Sequence, residues 1–135
     1  MSEEIKNVEK NNTEDLKDLK PIVIRIAKTG EVFTLEFDRE TVKWAEDRGF
    51  TANPANGYAP LYEKPMSGFE DLFYYAFHMH HKTVSKAYSD HILHDVLHGF
   101  KDGMIDRLIG LHAKTYDTLM QSEDDAKNEE VVVEM

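Results

Sequence analysis

The residues able to do chemistry crowd together in one stretch. "YYAFHMHHK" (residues 74–82) holds His78, His80 and His81 among Tyr74, Tyr75, Phe77 and Met79, and His91, His94, His98 and His112 follow. Imidazole is a common metal ligand and a proton carrier near neutral pH. At about 100° per helical residue, His80 falls on the face of Phe69, Phe73 and Phe77. His78 and His81 share another flank, so the three do not converge. A histidine on an apolar face packs in the core with a ring nitrogen hydrogen-bonded, which is the expectation for His80. His91, His94 and His98, spaced i, i+3 and i+7, lie within about 60° of one helix face. Two of them have the spacing to hold one divalent metal, with His78 or His81 as a third ligand. No H-E-x-x-H pattern accompanies them. Only Asp90 and Asp95 are placed to orient their rings. A solvated stripe with no metal and no cofactor is the expectation, with His91, His94 and His98 as the alternative ligand set.

"LHDVLHG" (residues 93–99) resembles the His-Asp pair of the HD-type metal phosphohydrolases. That constellation implies a further histidine well upstream and an aspartate well downstream. Here the upstream candidates, His78 to His91, are close by, and Asp106 and Asp117 are near neighbours. The alternative enzyme is therefore a metal-dependent hydrolase built on His91, His94, Asp95 and His98, and the dipeptide reads as accidental. Nucleophile elbow, phosphate loop and dinucleotide fingerprint are all missing. With no cysteine, thiol catalysis, disulfides and cysteine metal sites are excluded.

The elements that must position these residues come from one domain's worth of chain, 135 residues. The net charge of -10 and the want of a basic patch argue against nucleic acid. No apolar run approaches the ~20 residues of a membrane span, and "MSEEIKNVEK" is too polar for a signal peptide. The fold expected is α+β: an N-terminal β-hairpin packed on a mostly helical domain of about four helices. Residues 1–20 read as a flexible polar leader, 21–121 as the single domain and 122–135 as an acidic disordered tail. The closing "VVVEM", three valines with no neighbouring strand, reads either as a segment that adds to another sheet edge or as inert.

Ile22, Ile24 and Ile26, then Phe33, Leu35 and Phe37, alternate with period two about a Thr29-Gly30-Glu31 connection, which predicts a hairpin. Asp38 is the predicted N-cap of "RETVKWAEDR", with Val42 and Ala45 inward and Gly49 as its left-handed stop. Residues 51–65 carry three prolines and no periodicity, and read as a loop whose Tyr58, Leu61 and Tyr62 either pack locally or form a contact surface. Ser67 with Glu70 forms a capping-box signature for a helix that buries Phe69, Leu72, Phe73, Ala76, Phe77 and His80. A helix from about Val84 to His98 buries Val84, Ala87, Tyr88, Ile92, Val96 and Leu97. A last helix, from about Asp102 to Gln121, buries Ile105, Leu108, Ile109, His112, Tyr116, Leu119 and Met120.

The order of motifs carries a resemblance. "FTLEFDRETVKWAEDRGF", a proline-containing loop, "LFYYAFHMHHK", a short helix, a long amphipathic helix ending "YDTLM" and an acidic tail together resemble the tail assembly chaperones of long-tailed phages of Gram-positive bacteria. The resemblance covers about residues 22 to 125. It implies a non-enzymatic role in the host cytoplasm: coating the tape measure protein before the tail tube polymerises, helping to recruit tail tube subunits, and leaving as the tail forms.

Within the matched segment Tyr74, Tyr75, His78, Met79 and His81 lie off the apolar stripe. Rings and methionine on an outer face suit a client or self-association surface, and these five are the candidate partner-binding residues. The competing expectation, equally open, is that the last helix packs over them. A generic protein-interaction domain with no phage role is the third reading.

Overall fold

The computed structural model describes residues 19–119. It is α+β, with a two-stranded antiparallel hairpin and five α-helices among those residues. The leader up to residue 18, the acidic tail and "VVVEM" lie outside them. Leu19, assigned to the leader, is half-buried against the core, and its carbonyl accepts from Lys114 Nζ at 3.1 Å. No helix among the described residues is long and apolar enough to cross a membrane.

β1 (Ile22–Arg25) pairs with β2 (Val32–Leu35) in the register Ile22↔Leu35, Ile24↔Phe33. The period-two pattern works as expected: Ile24, Phe33, Leu35 and Phe37 are buried, while Val23 and Val32 face outward. The turn closes with the Ile26 N–H donating to the Glu31 carbonyl at 2.9 Å and Gly30 at φ +75°. Hydrogen-bonded pairs in an antiparallel ladder alternate with non-bonded ones. The amides of Thr34 and Glu36 therefore point away from β1.

α1 (Arg39–Asp47) starts where Asp38 accepts the Thr41 N–H at 2.7 Å. It stops at Gly49 (φ +95°), where the Phe50 N–H folds back to the Ala45 carbonyl at 3.0 Å. Both ends match the sequence reading. Residues 51–65, by contrast, hold more order than a loop: a 3₁₀ turn (Pro54–Asn56) with a reciprocal Asn53–Asn56 cap, then α2 (Ala59–Glu63), which buries Leu61. A helix of five residues is too short to show a hydrophobic period, which is why it escaped the pattern.

α3 (Pro65–His78) is the central element and packs against α1, α2, β2 and the two helices that follow. Leu72, Phe73, Ala76 and Phe77 are fully buried. The Ser67–Glu70 capping box does not form. Pro65, pre-set for a first helical turn, opens the helix two residues earlier, and Glu70 is drawn to Lys86 and His94 instead. Gly68 marks the tight α2–α3 corner. A Cβ there would lie 2.9 Å from Leu61 Cα and 3.2 Å from its carbonyl oxygen. Alanine normally gains about 1 kcal/mol over glycine inside a helix, but backbone atoms cannot step aside. Gly68→Ala is therefore expected to destabilise by about 1–3 kcal/mol, read as a lowered urea midpoint. An unchanged or raised midpoint would refute the close approach.

α4 (Lys86–His91) is capped by Ser85, which accepts the Tyr88 N–H at 3.0 Å, and runs into a π turn (Ile92–Val96). The regular helix expected over 84–98 is thus corrected at both ends. The π turn buries adjacent Ile92 and Leu93 together, while Ala87 and Tyr88, expected inward, are exposed. His98 (φ 58°) and Gly99 (φ 105°) end the segment in left-handed backbone. α5 (Met104–Lys114) buries Met104, Leu108, Leu111 and His112 and finishes in a 3₁₀ turn, Thr115–Thr118. Leu119, expected inward, is exposed, because the α-helical period stops at Lys114.

Candidate functional site

The second flank of α3 is roofed by α1 rather than by the last helix. Trp44 stacks flat on His78, with centroids 3.7 Å apart and planes 6° off parallel. The Arg48 guanidinium lies 3.7 Å from the Trp44 ring centroid. Two groups so close to one ring must occupy opposite faces, so Trp44 is sandwiched, a favourable cation–π geometry. Tyr75 meets Trp44 edge-on at 5.6 Å and Phe50 at 5.3 Å. Of the five candidate partner-binding residues, Tyr75 is buried, and Tyr74, His78, Met79 and His81 are half-buried. The structure gathers Tyr74, Tyr75 and His78 around Trp44 and sends His81 to the hairpin. Burial, with Lys82 and Arg48 adding like charge, lowers the pKa of His78.

His80 and His81 exchange the places expected of them. α3 ends at His78, so the 100° arithmetic no longer applies two residues later. His81 packs edge-on against Phe33 (5.4 Å) and beside Phe77 (5.0 Å), and its Nε2 accepts the Thr34 N–H at 3.1 Å. Burial first, then His80, lowers its pKa, in keeping with a neutral acceptor ring. His80, expected in the core, is exposed, with Nε2 2.8 Å from Glu36 Oε1.

His91, His94 and His98 do not share a focus. His91 Nδ1 is 2.9 Å from Asp95 Oδ2, and His94 Nε2 is 2.6 Å from Glu70 Oε2. His98 is exposed beyond the π turn, which breaks the i, i+3, i+7 spacing. Among the described residues no three His, Asp or Glu side chains are grouped to hold a metal. The His94-Asp95 dipeptide splits between these two partners. On the same side Lys86 Nζ bonds both Asp90 oxygens at 2.8 and 2.9 Å and approaches Asp71 and Glu70. Burial opposes the ammonium, yet Asp90, Asp71 and Glu70 outweigh it and raise its pKa.

Two features take their surroundings from the fold, beyond what their places in the sequence showed. The first is the exposed pair Tyr62 and Met66, 61% and 71% accessible, on successive turns across the α2–α3 corner. Tyr62 packs edge-on to Phe69 at 5.4 Å, and Phe69 reaches Phe100 at 6.2 Å, so apolar surface continues from Tyr62 into the core. The sequence left Tyr62 open as local packing or contact surface and gave Met66 no role; the α2–α3 corner is what sets Tyr62 against Phe69. The second is His112, fully buried, with Nδ1 2.8 Å from the Tyr58 hydroxyl. Tyr58 itself holds a left-handed backbone (φ 60°) to reach it.

No curated protein and no solved structure matches the chain. The model of one family, DUF5055, described as a domain of unknown function, matches residues 10–135, and the chain belongs to that family.

Proposed function

We propose that this protein is a non-enzymatic assembly factor that binds another polypeptide. On the motif resemblance, its client is a phage tape measure protein, its second partner the tail tube subunit, and its place of action the host cytoplasm. The observation that carries a polypeptide-binding role is exposed Tyr62, in contact with Phe69 and through it with Phe100, with Met66 exposed four residues on. An adaptable methionine beside aromatic rings is the composition of a protein-binding surface, and a largely helical client can lay an apolar stripe across it. The client contact is thereby moved from the second flank of α3, which α1 covers, to the α2–α3 corner.

Co-expression with a phage tape measure protein tests the reading. The expected result is a soluble, co-purifying client. A double variant, Tyr62→Ser with Met66→Lys, is expected to weaken capture by at least about tenfold. Its own stability should stay within about 0.5 kcal/mol, since both side chains are exposed. A client that stays insoluble, or one captured equally by the double variant, refutes the proposal.

A further inference from the structure

The two edges of the hairpin are treated differently. Along β2 two outward amides are taken, Thr34 by the His81 ring and Glu36, just past the strand, by the Ala76 carbonyl at 3.1 Å, while the Val32 amide beside the turn has no partner among the described residues. On β1 the ladder leaves the N–H and C=O groups of Val23 and Arg25 pointing outward, and no described residue pairs with them. The core face is also less covered on that side. Ile22 and Ile26 stay half-exposed, whereas Phe33, Leu35 and Phe37 opposite are buried.

Charge is divided the same way. Lys20, Arg25 and Lys28 are exposed along β1, no acidic residue occurs between Leu19 and Gly30, and none of the three forms a salt bridge among the described residues. The acids of the hairpin flank β2 and are engaged, Glu31 by Thr29 and Tyr88 and Glu36 by His80. The edge is thus locally cationic in a chain of net charge -10. Local charge governs an incoming strand, because salt screens the remainder beyond about 8 Å.

We propose that the open edge of β1 is a strand-addition site for an acidic, β-branched extended segment of a partner polypeptide. Val23 and Arg25 supply the main-chain ladder. A β-branched residue beside Ile24 extends the apolar face, and acidic neighbours on the outer face meet Arg25. This surface is separate from the α2–α3 corner, and the inference stands whether or not a tape measure protein is the client.

Amide hydrogen exchange on the intact chain, followed by NMR, tests it with a short peptide alternating glutamate and valine and with its lysine-for-glutamate counterpart. Without peptide, the Val23 and Arg25 amides are expected to exchange quickly while Ile24 is protected. The glutamate peptide is expected to protect both amides, and the lysine peptide neither. Arg25→Glu is expected to weaken binding about tenfold or more. Val23→Pro removes an outward donor at an edge position that tolerates proline, and is expected to abolish protection at Arg25 while Ile24 keeps its own. Equal binding of both peptides, or of neither, would overturn the proposal. So would amides already protected in the monomer, which would mean that the chain covers its own edge. Protection that appears only with rising protein concentration would assign the edge to a second copy, and would overturn it likewise.

Discussion

Acidification from pH 7 to pH 4 is expected to cost this fold about 3 kcal/mol through His112 alone. The ring is fully buried among Phe37, Phe50, Tyr58 and Tyr116, with centroids 4.9–5.5 Å away. Nδ1 shares its hydrogen bond with the Tyr58 hydroxyl, and Nε2 has no partner among the described residues. Nothing acidic offsets a charge there, and burial pushes the pKa down from 6.5 to about 4. Between those values the unfolded chain takes up a proton that the native ring refuses. The His112 contribution is therefore complete above pH 6.5 and is lost as the pH falls towards 4. His78 and His81, also lowered by burial, act in the same direction. Asp71, raised mainly by burial, acts in the opposite one. Urea unfolding at steps from pH 7.5 to 4 measures the slope. His112→Gln, which cannot titrate, starts less stable but should lose much less over that interval. An equal slope in the variant would place the acid sensitivity elsewhere.

Where one residue's chemistry decided local structure, the sequence was legible. Asp38, Gly49 and the alternating isoleucines and phenylalanines needed no partner to be understood, because a cap, a left-handed stop and a two-residue period are local properties. What failed depended on contacts between elements. Nothing in residues 39–48 announces His78 as the surface on which Trp44 stacks. His80 and His81 changed roles because α3 stopped at His78, and helical arithmetic carried past a helix end assigns faces that do not exist. The π turn at Ile92–Val96 removed the shared face of His91, His94 and His98, and such a turn leaves no mark in hydrophobic spacing. Pro65 deserved more weight than Ser67, since a proline at the first turn needs no capping partner. The loop reading left Tyr62 undecided between local packing and contact surface and gave Met66 no place, because the two short helical turns that lead into α3 show no period.

Phe77→Ala should remove about 3–5 kcal/mol of stability, a large share of the ~5–15 kcal/mol that holds a typical domain. Phe77 is fully buried at the C-terminal end of α3, touching Phe33 of β2 at 4.9 Å, Phe73 at 5.8 Å and His81 at 5.0 Å. Truncation opens a cavity at the seam where the hairpin meets the helix. It also loosens the ring that positions His81 against the Thr34 amide. The loss should therefore be local as well as global: Thr34 and Glu36, whose amides close the β2 edge, should lose exchange protection beyond what the global destabilisation accounts for. Leu72→Ala, fully buried five residues earlier in the same helix, is the control; it should lower stability without that excess at Thr34. Equal effects of the two variants on Thr34 would mean that the hairpin and helices unfold as one unit. A Phe77→Ala cost under about 1 kcal/mol would be incompatible with a closely packed seam. The contrast with Tyr62→Ser and Met66→Lys is what separates the two kinds of aromatic surface here. Phe77 spends its ring on joining sheet to helix, so its loss is read in folding. Tyr62 and Met66 are left outside that core, so their loss should be read in binding.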